Sequence, residues 1–266
     1  MMPFAKICKF TLAATACISF SVHAADAPQH VDLKQFSKKV EDVVVPLPNE
    51  VFAALNKLGG VNWREYVRNE KGSNFTQRPR IALLLGAVIA DGFIAVQAED
   101  APTVKEIGQR VLTLAKAIGV GNSITPHAKA ITEAADKRNW TSVRQELDRT
   151  QNSVQQAMNE VQDQKLSQLV SLGGWLRGTE VLTTVVNKRF SAEGAELLQQ
   201  PDLVEHFERQ LQGMPEFNIK LLEDIQKALA EVRPLIDKRT AIPSASVKRI
   251  NEITTRLGDA ITTKTP

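Results

Sequence analysis

Between Arg80 and Ala98 the chain reads RIALLLGAVIADGFIAVQA, an almost wholly apolar run with a single acid, Asp91, inside it. A stretch this long and this apolar predicts a helix covered on all sides, and Gly86, Ala90 and Gly92 give it small positions where a neighbour can approach closely. The carboxylate adds a demand of its own. Left alone in a dry interior it costs on the order of several kcal/mol, so it must be paired, hydrogen-bonded, protonated or open to a cavity.

A second stretch of the same kind, LSQLVSLGGWLRGTEVLTTVV from Leu166 to Val186, carries a small pair at Gly174 and Gly178 and two charges, Arg177 and Glu180. The two stretches read as the central, closely packed helices of an all-α domain. Their charges define the candidate site: Asp91, Arg177 and Glu180, with Trp175 beside them. One reading is a buried Asp91–Arg177 pair with Glu180 near it. The other makes these groups the polar end of a small-ligand pocket between the two helices, walled by Trp175. The first stretch is nearly long enough to cross a bilayer. Asp91 would then sit near the membrane centre with only Arg78 and Arg80 in flank, so no integral span is expected in the mature chain.

The N-terminus points to export. Lys6 and Lys9 precede an apolar segment, Phe10 to Val22, and Val22-His23-Ala24 forms a small-residue cleavage site. That is the layout of a secretory signal peptide over residues 1–24, with the mature protein beginning near Ala25 in the periplasm or outside the cell. Cys17 is a minor lipid-anchor alternative, although no leucine stands three residues ahead of it. Both cysteines, Cys8 and Cys17, fall within the signal, so the mature chain has neither disulfides nor thiolate chemistry.

Cleavage removes two of the 33 bases and no acid, leaving 31 against 30. This balance gives no electrostatic case for nucleic acid or an anionic membrane surface. His127 and His206 lack metal-ligand spacing. Gly-x-Ser-x-Gly, phosphate-loop and dinucleotide-binding patterns are absent, so no cofactor, metal or catalytic residue is assigned. The expectation is a non-enzymatic protein that binds a protein partner or serves as a structural accessory. Its alternative is a small-ligand carrier or sensor domain. Oligomeric state is left open.

Periodicity fills in about ten helices and no β-sheet. A flexible lead and a helix from Asp32 are expected over residues 25–45, with Leu33, Phe36, Val40 and Val43/Val44 on one face. A single helical domain follows over residues 46–262. Asn62 with Glu65 suggests a capping box, Pro79 opens the central helix, and Asp100, Thr125-Pro126, Asn139 and Pro201 mark later starts. Val143, Leu147, Thr150, Val154, Ala157 and Val161 form a core-facing seam, and Glu205, His206 and Glu208 read as a solvated cluster. The recurrence of Asn62-Trp63 as Asn139-Trp140, with Asp91-Gly92 set against Arg177-Gly178, suggests a duplication of residues 46–121 as 124–213. Helices over 215–261 complete the chain.

Overall fold

The structure, a computed structural model, describes residues 37–40, 43–46, 48–68, 75–160, 162–237 and 241–263. The chain divides after Val31, and all described residues belong to the unit Asp32–Pro266. The proposed signal peptide, the lead that follows it and the Asp32 cap lie outside the described residues.

The fold is an all-α multi-helix bundle. Its helices are α1 (Pro48–Leu58), α2 (Arg78–Gln97), α3 (Ala101–Ala117), α4 (Gly121–Asp136), α5 (Trp140–Glu160) and α6 (Gln164–Lys188), then α7 (Ala192–Glu196), α8 (Pro201–Gln212), α9 (Lys220–Val232) and α10 (Ser244–Thr262). One expectation fails at the edge. Where a helix from Asp32 was expected, β1 (Ser37–Val40) pairs antiparallel with β2 (Val43–Pro46), Val40 opposite Val43 and Ser37 opposite Pro46. The valine-rich run favours extended backbone. Strands of four residues without apolar alternation left no hairpin signal in the sequence.

Other boundaries moved for local reasons. Asn62 starts only one 3-10 turn, Trp63–Tyr66, after which Val67 is extended. The Asn62 amide donates to Glu65 Oε1 at 2.9 Å instead of capping the backbone. The carbonyl of Tyr66 accepts from the Arg177 side chain. Helix α4 begins at Gly121 and carries Pro126 inside it rather than at its start. Helix α9 begins at Lys220, later than Pro215 suggested. Asp100 and Asn139 do cap α3 and α5, accepting from the amides of Thr103 and Ser142.

Helix α2 is the axis of the core. Every residue from Ile81 to Val96 is buried. It is long and apolar enough to span a membrane, yet 89% of its most apolar window is covered by the rest of the chain, as in a core helix. Helices α3, α5 and α6 pack around it, and the described part of the α5 seam, Val143 to Ala157, is buried toward the same core. The sequence reading of the α8 charges is overturned: His206 and Glu208 are buried, with Glu208 reaching Arg233 at 3.2 Å. Only Glu205, paired with Arg209, is half-exposed.

Candidate functional site

Helices α2 and α6 meet backbone to backbone. A Cβ on Gly86 would strike the carbonyl oxygen of Val170 and lie 2.8 Å from the Gly174 nitrogen. One on Gly173 would strike the carbonyl oxygen of Leu83, with the carbonyl carbon at 2.8 Å. The contact needs hydrogen at both positions. Two ionic links then fix the direction of the pair. Arg78, the first residue of α2, reaches Asp163, the N-cap of α6, at 2.9 Å, and Asp91 meets Arg177 farther along. The steps between links are 13 residues on α2 (91 − 78) and 14 on α6 (177 − 163). The two helices therefore run parallel over roughly 20 Å.

The charges predicted to come together do so. Arg177 Nε donates to Asp91 Oδ1 at 2.6 Å, Arg177 Nη2 donates to the Tyr66 carbonyl at 2.6 Å, and Arg177 Nη1 lies 3.2 Å from Glu180 Oε2. Arg68 pairs with the same Glu180 oxygen. Two cations and two carboxylates thus cancel inside the fold, and Asp91, Arg177 and Glu180 are each at most 9% exposed. Burial opposes the Arg177 charge, but Asp91 and Glu180 outweigh it and hold the guanidinium above its ordinary range.

Helix α10 closes the cluster. A Cβ on Gly258 would lie 2.6 Å from Arg68 Nη2 and 2.8 Å from Glu180 Oε2, so glycine leaves room for that pair and for little else. The Asn251 amide donates to the Glu180 carbonyl and to the hydroxyls of Thr183 and Thr184. Sequence reasoning found Asp91, Arg177 and Glu180 but missed Arg68 and Gly258, which sit in polar surroundings with no periodic signal.

Trp175 is not part of it. Two residues from Arg177, it projects about 200° away around α6. Its ring lies 5.5 Å from that of Phe207, and its Nε1 donates to Gln200 Oε1 at 3.3 Å. So held, it walls a groove whose lining includes Gly86, Ile89, Val170, Gly174 and Gly178, and includes none of Asp91, Arg177 or Glu180. The cavity volume is about 50 Å³. Gln151 and Gln155 of α5 form the opposite rim, and Gln155 reaches Ser171 of α6 at 3.5 Å. The Gln151 side-chain oxygen is buried there without a hydrogen-bond partner. Gly178 plays no part in the helix crossing, since a Cβ there would meet nothing within 4 Å. Gly178→Ala should therefore raise stability by about 0.5–1 kcal/mol, the cost of glycine inside a helix, as read by denaturant unfolding.

A further polar constellation was invisible in the sequence. His127 of α4 lies with Nδ1 3.0 Å from Glu146 Oε2 and Nε2 2.8 Å from Ser153 Oγ, both on α5. The order hydroxyl, imidazole, carboxylate is that of an activated nucleophile. Ser153, however, sits mid-helix, where backbone N–H groups are used by the helix itself and cannot serve as oxyanion donors. The set instead clips α4 to α5. The His127 hydrogen bond, helped by Arg149 and opposed by burial, holds the Glu146 carboxyl below its ordinary range. The stability this contributes is present above the unfolded pKa, about 4.3, and is lost as pH falls through the lower folded value. Glu146→Gln should flatten that acid limb in thermal melts between about pH 3 and 6. Among the described residues no group of three or more His, Cys, Asp or Glu could hold a metal ion. Comparison of the chain with family models, with curated proteins and with solved structures found no match.

Proposed function

We propose that the mature chain is an exported, non-enzymatic accessory protein of the periplasm that works by docking a protein partner, seating an apolar side chain of that partner in the Trp175 groove. The observation that carries the reading is the groove itself: a held aromatic wall, a floor notched at Gly86, Gly174 and Gly178, and glutamine amides at the rim. Aromatic anchors in desolvated clefts are where binding energy concentrates. A cavity of about 50 Å³ is far below the ~300 Å³ at which small-ligand pockets begin, which favours a side chain over an enclosed ligand. Against the alternative carrier reading, Asp91, Arg177 and Glu180 pair with one another and none of them lines the groove. Lys6, Lys9, the segment Phe10–Val22 and Ala24 support export.

Two measurements test this. Intact mass after expression with the native N-terminus should show a chain starting at Ala25; a retained leader would overturn export. A benzophenone side chain placed at position 178, where space is open, should photocrosslink one reproducible protein in the periplasm, and Trp175→Ala should weaken that adduct. Absence of a protein adduct would overturn docking at this groove.

A further inference from the structure

The groove has a polar edge that the fold leaves unsatisfied. Gln151 and Asp148 stand at i and i−3 on α5, so their side chains are neighbours on one face, about 5–6 Å apart at Cβ. Both present a buried oxygen, Gln151 Oε1 and Asp148 Oδ1, with no hydrogen-bond partner. Helices α5 and α6 leave their connecting turn in opposite directions, with Gln155 against Ser171. Gln151 lines the groove; Asp148, one turn back on the same face of α5 and seven residues before Gln155 as Gly178 is seven after Ser171, stands just beyond that lining.

Among the described residues no cation lies within salt-bridge distance of the Asp148 carboxylate, and burial pushes that carboxyl above its ordinary range. An acceptor kept buried and unpaired costs stability. Each such group calls for an explanation, and a bound ion or donor that completes it is one.

Resting on the docking reading above, we infer that the partner segment carries a lysine beside its apolar anchor, and that its ammonium bridges Asp148 Oδ1 and Gln151 Oε1 while the anchor packs on Trp175. An ammonium has three donors and no acceptor, which suits two oxygens one helical turn apart. A carboxylate at the same place would meet Asp148 as a like charge and be rejected.

The test uses the mature protein and three acetylated, amidated octapeptides that differ only in the residue beside a central leucine: lysine, norleucine or glutamate. Side-chain amide and indole signals are followed by two-dimensional NMR during titration. The Gln151 amide and Trp175 indole signals should shift with the lysine peptide, at a Kd about tenfold below that of the norleucine peptide, and the glutamate peptide should bind weakest. In Asp148→Asn the lysine advantage should disappear while the melting temperature rises, since a half-buried carboxylate whose charge is disfavoured by burial has been removed. Gln151→Leu, which leaves Asp148 in place, should reduce the advantage only in part. Equal binding of lysine and norleucine peptides to the wild-type protein would overturn the cation site and leave groove docking standing. Failure of every peptide to move either signal would overturn both.

Discussion

Gly86→Ala should destabilise the protein by about 3 kcal/mol or more, the upper end of what overpacking costs in a core. At roughly 2–4 °C per kcal/mol for a chain of this size, the melting temperature should fall by about 6–12 °C. The methyl group would press on backbone, the Val170 carbonyl and the Gly174 amide, rather than on a side chain that can turn aside. Relief requires α2 and α6 to separate, and that would loosen the contacts around every buried residue of α2. Gly173→Ala, directed at the Leu83 carbonyl, should behave alike. Gly174→Ala should cost much less, because its nearest contact, the Gly86 carbonyl oxygen, is 3.4 Å from the new Cβ. Differential scanning calorimetry of the three variants would rank them directly. Equal stability across the set would mean that the helices do not touch where their glycines are.

The second large effect concerns charge. Arg177→Met should destabilise by about 3–5 kcal/mol, the range for breaking a buried ion pair from one side. It removes the partner of Asp91, the donor to the Tyr66 carbonyl and one of the two cations on Glu180. Glu180 keeps Arg68, so most of the loss falls on Asp91, stranded at 5% exposure. Arg68→Met should cost less, since Glu180 then keeps Arg177. Urea unfolding of both variants at neutral pH separates the two roles.

Much of this was legible in the sequence for one physical reason. A charge inside an apolar run needs compensation, and two such runs in one chain offer compensation to each other. Asp91, Arg177 and Glu180 could be grouped on that logic, as could Gly86 and Gly174 as points of close approach. Gly178, paired with Gly174 by spacing, proved to open the groove, while the unremarked Gly173 makes the second backbone contact. In a tandem Gly-Gly pair, spacing alone does not say which member faces the partner helix. Proximity in sequence groups Trp175 with the charges, although a separation of two residues turns it away on a helix. Nothing in the sequence singles out Asp148 and Gln151 on α5, whose residues outside the seam are largely polar. Only coordinates reveal that an oxygen of each is buried. Arg68 and Gly258 join the ion cluster from 112 positions before and 78 positions after Glu180 (180 − 68 and 258 − 180), with no local pattern to announce them.

The most direct trial of the whole account is a double-mutant cycle on Asp91 and Arg177, each changed to alanine alone and together, with stabilities from urea unfolding. If the two side chains neutralise each other inside the contact of α2 and α6, the double variant should cost clearly less than the two single ones added together. The coupling should then reach roughly 2–3 kcal/mol. Costs that simply add, with coupling near zero, would mean the two charges do not meet and that α2 and α6 are joined in some other way.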